Sequence, residues 1–349
     1  MQDSQPTKGG RKGPVGTTRK RISLSEGGLI KEERLIPHSP LPLVFRPLLP
    51  GVSLLHWVKN QKEFIEERLL TNGAILFRDF PIYSIAEFEN FIEAIRPDLL
   101  GYSYRSTPRS QVSGRIYTST EYPAHQFIPL HNEMSYSCSW PMKIWFYCVQ
   151  PADSGGETPI ADSRKVFQAV PPDIREEFAR KKLMYVRNYG AGLDLPWQNV
   201  FQTVDRLDVE SFCRENDISF QWLDDDRLST RQICQAVAKH PRTGENVWFN
   251  QAHLFHISNL EREIGESMLA AFKVEELPRN VYFGDGSTID NSALEEIRQV
   301  YRQAEITFQW QKGDILMLDN MLTAHARNPF TGSRKIVVGM AEQFTNQNI

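Results

Sequence analysis

The segment GDILMLDNMLTAHARNPFTGSRK, residues 313–335, carries the clearest sign of how this chain folds. It begins with an apolar run from Ile315 to Leu318, which is typical of a buried strand. His325 follows after a polar break, and the Asn-Pro and Thr-Gly pairs beyond it indicate a hairpin. We therefore expect Arg334, which opens the next strand, to lie beside the strand that carries His325.

A second segment, Leu130-His131-Asn132-Glu133, places a histidine and a carboxylate two residues apart. On an extended strand these two side chains point to the same face. With His325 they make two imidazoles and one carboxylate, the ligand set of mononuclear non-haem iron(II) sites that keep other positions open. We predict that His131, Glu133 and His325 are metal ligands, distant in sequence and adjacent in the fold.

Two further features indicate a site for a carboxylate. The Gly-Gly pair in SGGET, residues 154–158, predicts a tight turn before a strand that would carry the Thr158 hydroxyl toward the metal ligands. The guanidinium of Arg334 could bind the far end of a dicarboxylate through two parallel hydrogen bonds. Taken singly, each feature is equally typical of an ordinary turn or hairpin end, and Arg327 and Lys335 are close alternatives to Arg334.

The other histidines offer a weaker alternative. His253 and His256 stand three residues apart, and on a helix they would share a face and could bind zinc. No cysteine or carboxylate at metal spacing completes that set. Both side chains are also compatible with lining a pocket or with structural hydrogen bonds.

Composition excludes several classes of protein. The net charge of −3 argues against nucleic acid as a partner, and no apolar run approaches the ~18–20 residues that span a bilayer. The four cysteines form no CxxC pair, so we expect reduced thiols in a cytoplasmic protein without a secretory signal. The first 24 residues are basic and poor in apolar side chains, and we predict that residues 1–40 form a disordered tail.

Strand-like segments flank both halves of the candidate site, with helical segments between them. We predict one α+β domain over residues 41–349, an antiparallel sandwich or barrel with a helical insertion around residues 195–304. The polar stretches 102–126 and 189–199 are candidate lids. In the first of these, four polar side chains are candidates for contact with a substrate headgroup: Arg115, Tyr117, Ser119 and Glu121.

With HNE at 131–133, SGGET at 154–158 and the segment 313–335, the chain resembles the taurine dioxygenase/clavaminate synthase superfamily of Fe(II)- and 2-oxoglutarate-dependent oxygenases. The resemblance covers residues 73–342 and implies a double-stranded β-helix (jelly-roll) core. The phrases GRIYTSTEYP (114–123) and LHNEMSY (130–136) are most similar to the syringomycin-type hydroxylases of nonribosomal peptide biosynthesis.

The resemblance implies that His131, Glu133 and His325 bind Fe(II). It also implies that Arg334 and Thr158 bind the distal carboxylate of 2-oxoglutarate. The implied reaction uses O₂ to hydroxylate an amino acid or an aminoacyl group on a peptidyl carrier protein during antibiotic biosynthesis, and it releases succinate and CO₂. Glu133 stands where the halogenases of the family have a small residue, which favours hydroxylation.

Two other functions stay open at this point. The same iron chemistry could be diverted to desaturation, cyclisation or C–N cleavage, because the outcome depends on how the substrate is placed. A metal-free binding protein could also be built on the same scaffold, since a fold does not dictate a function.

Overall fold

The longest strand of the fold, β7 (Ser139–Gln150), has ten of its twelve residues buried. It pairs antiparallel with β16 (Ile315–Asp319) on one side and with β19 (Lys335–Thr345) on the other. Because both faces of such a central strand are covered, its sequence is an almost continuous apolar run. The strand predicted from Ile315 to Leu318 is confirmed, and it lies next to the centre of the sheet.

The structure of the protein is a computed structural model. It describes residues 26–37, 39, 41–101, 104, 107, 109–120, 122–190, 194–224 and 226–346. One predicted substrate contact, Glu121, and residues 1–25 of the predicted tail lie outside the described residues.

Eight strands of the described chain form the largest sheet. In spatial order they are β1 (Ile30–Arg34), β2 (Leu43–Pro47), β3 (Ala74–Phe77), β16, β7, β19, β5 (Ile116–Thr118) and β4 (Gln111–Ser113). Successive side chains of a strand point to opposite faces. Trp145 and Tyr147 of β7 therefore pack against the N-terminal helices, whereas Ile144 and Phe146 belong to the apolar cluster on the other face.

A smaller sheet covers that second face. Its strands are β6 (Ile128–His131), β17 (Thr323–Arg327) and β9 (Ile160–Asp162), in that spatial order, and a two-stranded ribbon of β8 (Ser154–Gly155) and β18 (Phe330–Thr331) lies beyond them. Ile160 packs in the same cluster as Ile144 and Phe146. The two facing sheets are the jelly-roll core that the sequence predicted.

The region between β9 and β16 contains helices, as predicted, and also strands. The sequence pattern predicts two of these strands, β10 (Leu183–Tyr189) and β14 (Asn246–Trp248), but not β11 (Ser219–Trp222), β12 (Leu228–Cys234), β13 (Val237–Lys239) and β15 (Arg279–Phe283). Within β12, buried and less buried residues alternate, and serine, threonine, arginine and glutamine dilute its apolar signal. Such short, polar strands give little periodicity to detect.

The helices of the described residues lie outside the two facing sheets of the core. The α-helices are α1 (Leu54–Asn60), α2 (Lys62–Asn72), α3 (Ile85–Ile95), α4 (Ser163–Ala169), α5 (Pro172–Lys181), α6 (Trp197–Phe201), α7 (Arg206–Glu215), α8 (Ala252–Phe255), α9 (Arg262–Ala271) and α10 (Asn291–Ala304). Short 3-10 turns occupy Glu26–Leu29, Ile257–Asn259 and Val274–Glu276. None of the helices in the described part of the chain has the length and apolar character needed to span a bilayer.

The predicted tail, residues 1–40, extends too far. Ile30–Arg34 forms the edge strand β1, which pairs antiparallel with β2. Main-chain hydrogen bonds and ion pairs of Glu32 with Arg68 and of Glu33 with Arg46 hold this strand. Because three of its five residues are exposed, it carries no apolar pattern that would distinguish it from a solvated tail.

A buried ionic network supports the turn that joins β16 to β17. Asp319 is fully buried; one of its oxygens accepts from the backbone N–H groups of Met321 and Leu322, and the other lies 3.3 Å from Lys143 Nζ and 3.2 Å from His240 Nε2. Burial alone would raise the pKa of the Asp319 carboxyl. Lys143 and His240 outweigh that effect and hold the pKa at about 2.

Replacing Asp319 with Asn should lower the free energy of unfolding by about 3–5 kcal/mol, because it removes the fully buried carboxylate partner of Lys143 and leaves the partly exposed carboxylates of Glu66 and Glu342. Urea denaturation measures the loss. The matched control is Glu266→Gln, which removes the exposed ion pair with Arg262 and should cost less than about 1 kcal/mol. Equal losses in the two variants would contradict the role assigned to Asp319.

The same comparison has a defined pH dependence. The folded pKa of Asp319 lies below its unfolded value, so its contribution to stability is present above the unfolded pKa. That contribution is lost as the pH falls through the folded pKa of about 2. The stability advantage of the wild type over Asp319→Asn should therefore shrink steadily below about pH 4.

Candidate metal centre and substrate cavity

The three predicted metal ligands meet on the smaller sheet. His131, at the end of β6, and His325, in the middle of β17, are direct cross-strand partners, and their ring centroids lie 4.5 Å apart. Glu133 approaches from the turn after β6, with one carboxylate oxygen 3.9 Å from His325 Nε2. One ligand atom from each residue lies within 4.8 Å of the others. This is the only such cluster of three or more potential ligands in the described chain.

Glu133 reaches the cluster by a different route from the one that the i, i+2 spacing suggested. Strand β6 ends at His131, so strand alternation does not place Glu133. Instead, the side chain of Asn320 holds its backbone: Asn320 Oδ1 accepts from Glu133 N at 2.8 Å, and Asn320 Nδ2 donates to Glu133 O at 2.9 Å. Asn132 strengthens the link by donating to Asn320 O at 2.6 Å.

Both histidines are prepared to act as neutral donors. Pro129 O accepts a hydrogen bond from Nδ1 of His131 at 2.8 Å, which leaves its Nε2 lone pair for a metal. Burial lowers the pKa of His131, and burial together with His131 and Arg109 holds the pKa of His325 well below its usual value. Two neutral imidazoles and one carboxylate fit a divalent metal ion, which binds deprotonated ligands.

Arg334 lies in the neighbouring cavity, but the predicted hairpin is wrong, because β17 pairs with β6 and β9 whereas β19 pairs with β5 and β7 in the large sheet. Its guanidinium donates to Gly156 O at 2.8 Å, to Ser119 Oγ at 3.3 Å and to Thr158 Oγ1 at 3.4 Å. Gly156 makes room for it, because an added Cβ would lie 2.9 Å from Arg334 Cδ. Burial, with a smaller effect of Arg327, lowers the pKa of Arg334 to about 10, so the group stays cationic at neutral pH.

The alternatives to Arg334 are occupied elsewhere or exposed. The guanidinium of Arg327 donates hydrogen bonds to four backbone carbonyl oxygens of residues 120–126. Lys335 is exposed on β19. A small cavity of about 30 Å³ links Arg334 and Thr158 with His131 and His325.

A larger cavity of about 340 Å³ opens from the metal ligands toward the surface. One wall comes from the predicted lid 102–126, which contributes Thr107, Arg109, Thr120 and Tyr122. The opposite wall comes from α8 and the segment after it. The described residues of the second predicted lid, 189–199, do not line this cavity.

The predicted substrate contacts separate into different places. Ser119 lines the small cavity beside Arg334. Tyr117 is buried in the core of the large sheet, and Arg115 is exposed, with its guanidinium donating to Leu99 O. Neither Tyr117 nor Arg115 lines the two cavities at the metal ligands.

The two histidines of the zinc alternative have separate surroundings. His253 hydrogen-bonds Leu130 O through Nε2 and stacks near Tyr301, and burial lowers its pKa to about 3. His256 pairs with Ser258 and lines the large cavity. His253 therefore supports the strand that carries His131, and the pair does not form a metal site.

Sequence reasoning missed Arg109. Its guanidinium donates to Glu133 Oε2 at 2.6 Å, and both side chains are buried. Arg109 lies in a polar stretch without periodicity, so no local pattern distinguishes it from a solvated loop arginine. It also missed Asn320, whose role depends on a contact across 187 residues of sequence.

Comparisons with known proteins agree with this geometry. A family model described as "Taurine catabolism dioxygenase TauD, TfdA family" matches residues 39–340. Dapdiamide synthesis protein DdaC from Enterobacter agglomerans is 41% identical over 278 residues, which are 80% of this chain and 84% of DdaC. A clavaminate synthase-like protein from Arabidopsis thaliana is 29% identical over 336 residues, which are 90% of this chain and 97% of that protein.

Solved structures share the fold at low sequence identity. The PvcB protein from Pseudomonas aeruginosa aligns with a TM-score of 0.55 and 13% identity, covering 95% of this chain and 98% of PvcB. AAD-2, solved with Mn(II) and N-oxalylglycine, aligns with a TM-score of 0.51 and 13% identity, covering 89% of this chain and 96% of AAD-2.

The clamp on Glu133 yields a prediction. Asn320→Ala should weaken Mn²⁺ binding about 10- to 100-fold, because the backbone of Glu133 loses the partners that hold its side chain toward the histidines. Isothermal titration with Mn²⁺ measures the change. As a control, Asn188→Ala removes hydrogen bonds to Glu275 O and Leu277 O in the insertion and should leave Mn²⁺ affinity unchanged. Wild-type affinity in Asn320→Ala would show that Glu133 is positioned by other contacts.

Proposed function

The chain belongs to the TauD, TfdA family of dioxygenases, and from this premise we propose that it hydroxylates an unactivated C–H bond of an amino acid, free or tethered to a carrier protein. The resemblance predicted from the motifs is confirmed at the level of the family. The chain is a non-haem enzyme that depends on Fe(II) and 2-oxoglutarate. The likeness to syringomycin-type hydroxylases stays a prediction.

We assign the iron to His131, Glu133 and His325. Bound iron and 2-oxoglutarate supply an oxidant strong enough for an unactivated C–H bond, with release of succinate and CO₂. The histidines contribute neutral donors and Glu133 one negative charge, so the site retains positive charge that attracts an anionic cosubstrate. Glu133 and His325 are buried and His131 is partly buried, which limits the access of competing water to the metal.

We assign the distal carboxylate of 2-oxoglutarate to Arg334, with the hydroxyls of Thr158 and Ser119 beside it. A buried guanidinium flanked by hydroxyl donors binds a carboxylate strongly and fixes its orientation. The cavity shared by these groups and the metal ligands supports this assignment, because one elongated dicarboxylate can then contact both ends.

The large cavity is the proposed substrate site. It begins at His131 and Glu133, so a substrate held there presents its carbon to the metal. DdaC is named for its part in dapdiamide synthesis, and we propose that this chain likewise acts on an amino-acid-derived compound in natural-product biosynthesis. A peptidyl carrier protein is the proposed partner if the substrate is tethered.

One observation carries the proposal more than any other. The smaller sheet brings His131 and His325 into register, and the connection from β17 to β19 returns Arg334 to the cavity beside them. A binding protein without a metal has no need for neutral histidines and a carboxylate in such an arrangement.

His131→Ala should abolish substrate-dependent succinate release while leaving the thermal unfolding curve almost unchanged, because it removes a metal ligand at the edge of the core. The assay runs a panel of free amino acids and carrier-bound aminoacyl thioesters against 2-oxoglutarate. His56→Ala, at an exposed position on α1, serves as the control and should match the wild type.

Two results would contradict this assignment. One is turnover that survives in His131→Ala. The other is the absence of a visible charge-transfer band when Fe(II) and 2-oxoglutarate are added to the wild-type protein without oxygen, which would favour a metal-free binding protein.

Arg334→Met should raise the KM for 2-oxoglutarate by about 100-fold or more, because it removes the buried cation that pairs with the distal carboxylate. Lys335→Met removes the adjacent exposed cation and should leave this KM unchanged. Initial rates at saturating amino-acid substrate measure both. An unchanged KM in Arg334→Met, with Mn²⁺ affinity intact, would reject Arg334 as the cosubstrate anchor.

A further inference from the structure

Arg109 is the buried cation closest to the proposed metal ligands. Its side chain is 3% exposed, and that of its partner Glu133 is 4% exposed. It lies between the two cavities and lines both of them. Arg109 therefore lies next to the proposed metal ligands, the proposed 2-oxoglutarate site and the proposed substrate site.

We propose that Arg109 anchors a carboxylate of the substrate and that it changes partner when the metal binds. In the metal-free protein its counter-ion is Glu133. In the loaded enzyme the substrate's carboxylate takes over much of that role. The inference rests on the proposed function and adds the charged group that the substrate must carry.

The charges around the site support this exchange. Glu133 is the only carboxylate among the described residues that line either cavity. A divalent cation bound to Glu133 competes with Arg109 for the same negative charge. A buried guanidinium whose counter-charge is shared in this way is costly unless another anion approaches.

The cosubstrate does not remove the imbalance. The metal contributes two positive charges and Arg109, Arg327 and Arg334 one each, while Glu133 supplies one negative charge and 2-oxoglutarate two. Two positive charges are left over: Arg327 is held by backbone carbonyl oxygens away from the large cavity, and the other charge lies next to the substrate cavity, at Arg109. A monoanionic group on the substrate neutralises it.

Apart from Glu133, the described lining of the large cavity has no carboxylate that would bind an ammonium group of the substrate. Arg279 is the other guanidinium that lines it, and Asp194 already binds Arg279 at 2.7 and 3.0 Å. Apart from the proposed metal ligands, the remaining described lining offers the imidazole of His256, amides, hydroxyls and apolar groups. The described part of the cavity therefore favours a carboxylate over an ammonium group as the charge that is read.

The geometry also limits where oxidation occurs. Because Arg109 hydrogen-bonds a proposed metal ligand directly, a carboxylate held by Arg109 lies within a few ångströms of the metal. The oxidised carbon is then close to that carboxylate. A thioester-tethered amino acid has no free α-carboxylate, so a tethered substrate must carry a second acid group.

The first test uses Mn²⁺ alone. Arg109→Met should bind Mn²⁺ at least about tenfold more tightly than the wild type, because the competing positive charge is gone. Arg109→Lys keeps the charge and should bind Mn²⁺ like the wild type. A purely structural arginine would give weaker binding in Arg109→Met, and weaker or unchanged binding overturns the proposal.

A matched control separates charge competition from loss of any buried arginine. Arg78 is buried with Asp314, its carboxylate partner at 2.6 Å, and lines neither of the two cavities at the metal ligands. Arg78→Met should lower thermal stability and leave Mn²⁺ affinity unchanged. Tighter Mn²⁺ binding in Arg78→Met as well would also overturn the proposal.

The second test compares amino acids and N-acetyl amino acids with their primary amides. In the wild type, succinate release should favour the acid, and in Arg109→Met the acid-to-amide ratio of kcat/KM should fall at least about tenfold. Arg109→Lys should recover part of the preference, since lysine keeps the charge but not the planar fork. With Co(II) and N-oxalylglycine bound, the visible spectrum of the wild type should respond to the acid and not to the amide.

The results distinguish a failure of the proposed function from a failure of the role proposed for Arg109. If no compound elicits succinate release and Mn²⁺ does not bind the wild type, the proposed function fails. If release occurs but the acid-to-amide ratio is the same in Arg109→Met, only the role of Arg109 fails.

Discussion

One buried side-chain amide, that of Asn320, joins the two chain segments on which the site is built. It accepts from the backbone N–H of Glu133 and donates to the carbonyl oxygens of Glu133 and Pro141. Asn320 itself lies in the turn before β17, the strand that carries His325. A single group therefore fixes the carboxylate relative to both histidines, and its hydrogen bonds are satisfied on both sides of the amide. A fully satisfied buried polar network of this kind specifies one arrangement of the chain.

Burial has opposite consequences for the charges on the two sides of the site. At the metal ligands, loss of water keeps His131 and His325 neutral, which is the form that binds a cation. At the cosubstrate end, the same loss of water lowers the pKa of Arg334 only to about 10, so its charge survives. One dry environment thus provides neutral donors for a metal and a cation for a dicarboxylate. The difference comes from the intrinsic basicity of imidazole and guanidinium.

The sequence predicted the parts of the site that lie on strands with a clear pattern. His325 and Arg334 follow an apolar run and a hairpin signal, and the structure places both beside the cavity. Glu133 was predicted correctly to lie near the histidines, but strand alternation is not the cause. The turn after β6 and the side chain of Asn320 place it there. The edge strand β1 and the strand β12 of the insertion were missed because exposed or polar residues dilute their periodicity. Arg109 could not be predicted from the sequence, because only its contact with Glu133 in the folded chain identifies it as a residue of the site.

The role of Arg327 explains why spacing alone left the choice of anchor open. Arg327, two residues after His325, belongs to β17, and its guanidinium binds the carbonyl oxygens of Tyr122, Pro123 and Gln126. It thereby ties the stretch before β6 to the strand that carries a metal ligand. The wall formed by that stretch cannot move away from the metal without breaking these hydrogen bonds or carrying β17 with it. Two arginines seven residues apart, one on β17 and one just before β19, thus have separate tasks: Arg327 holds the wall of the cavity, and Arg334 supplies the charge inside it.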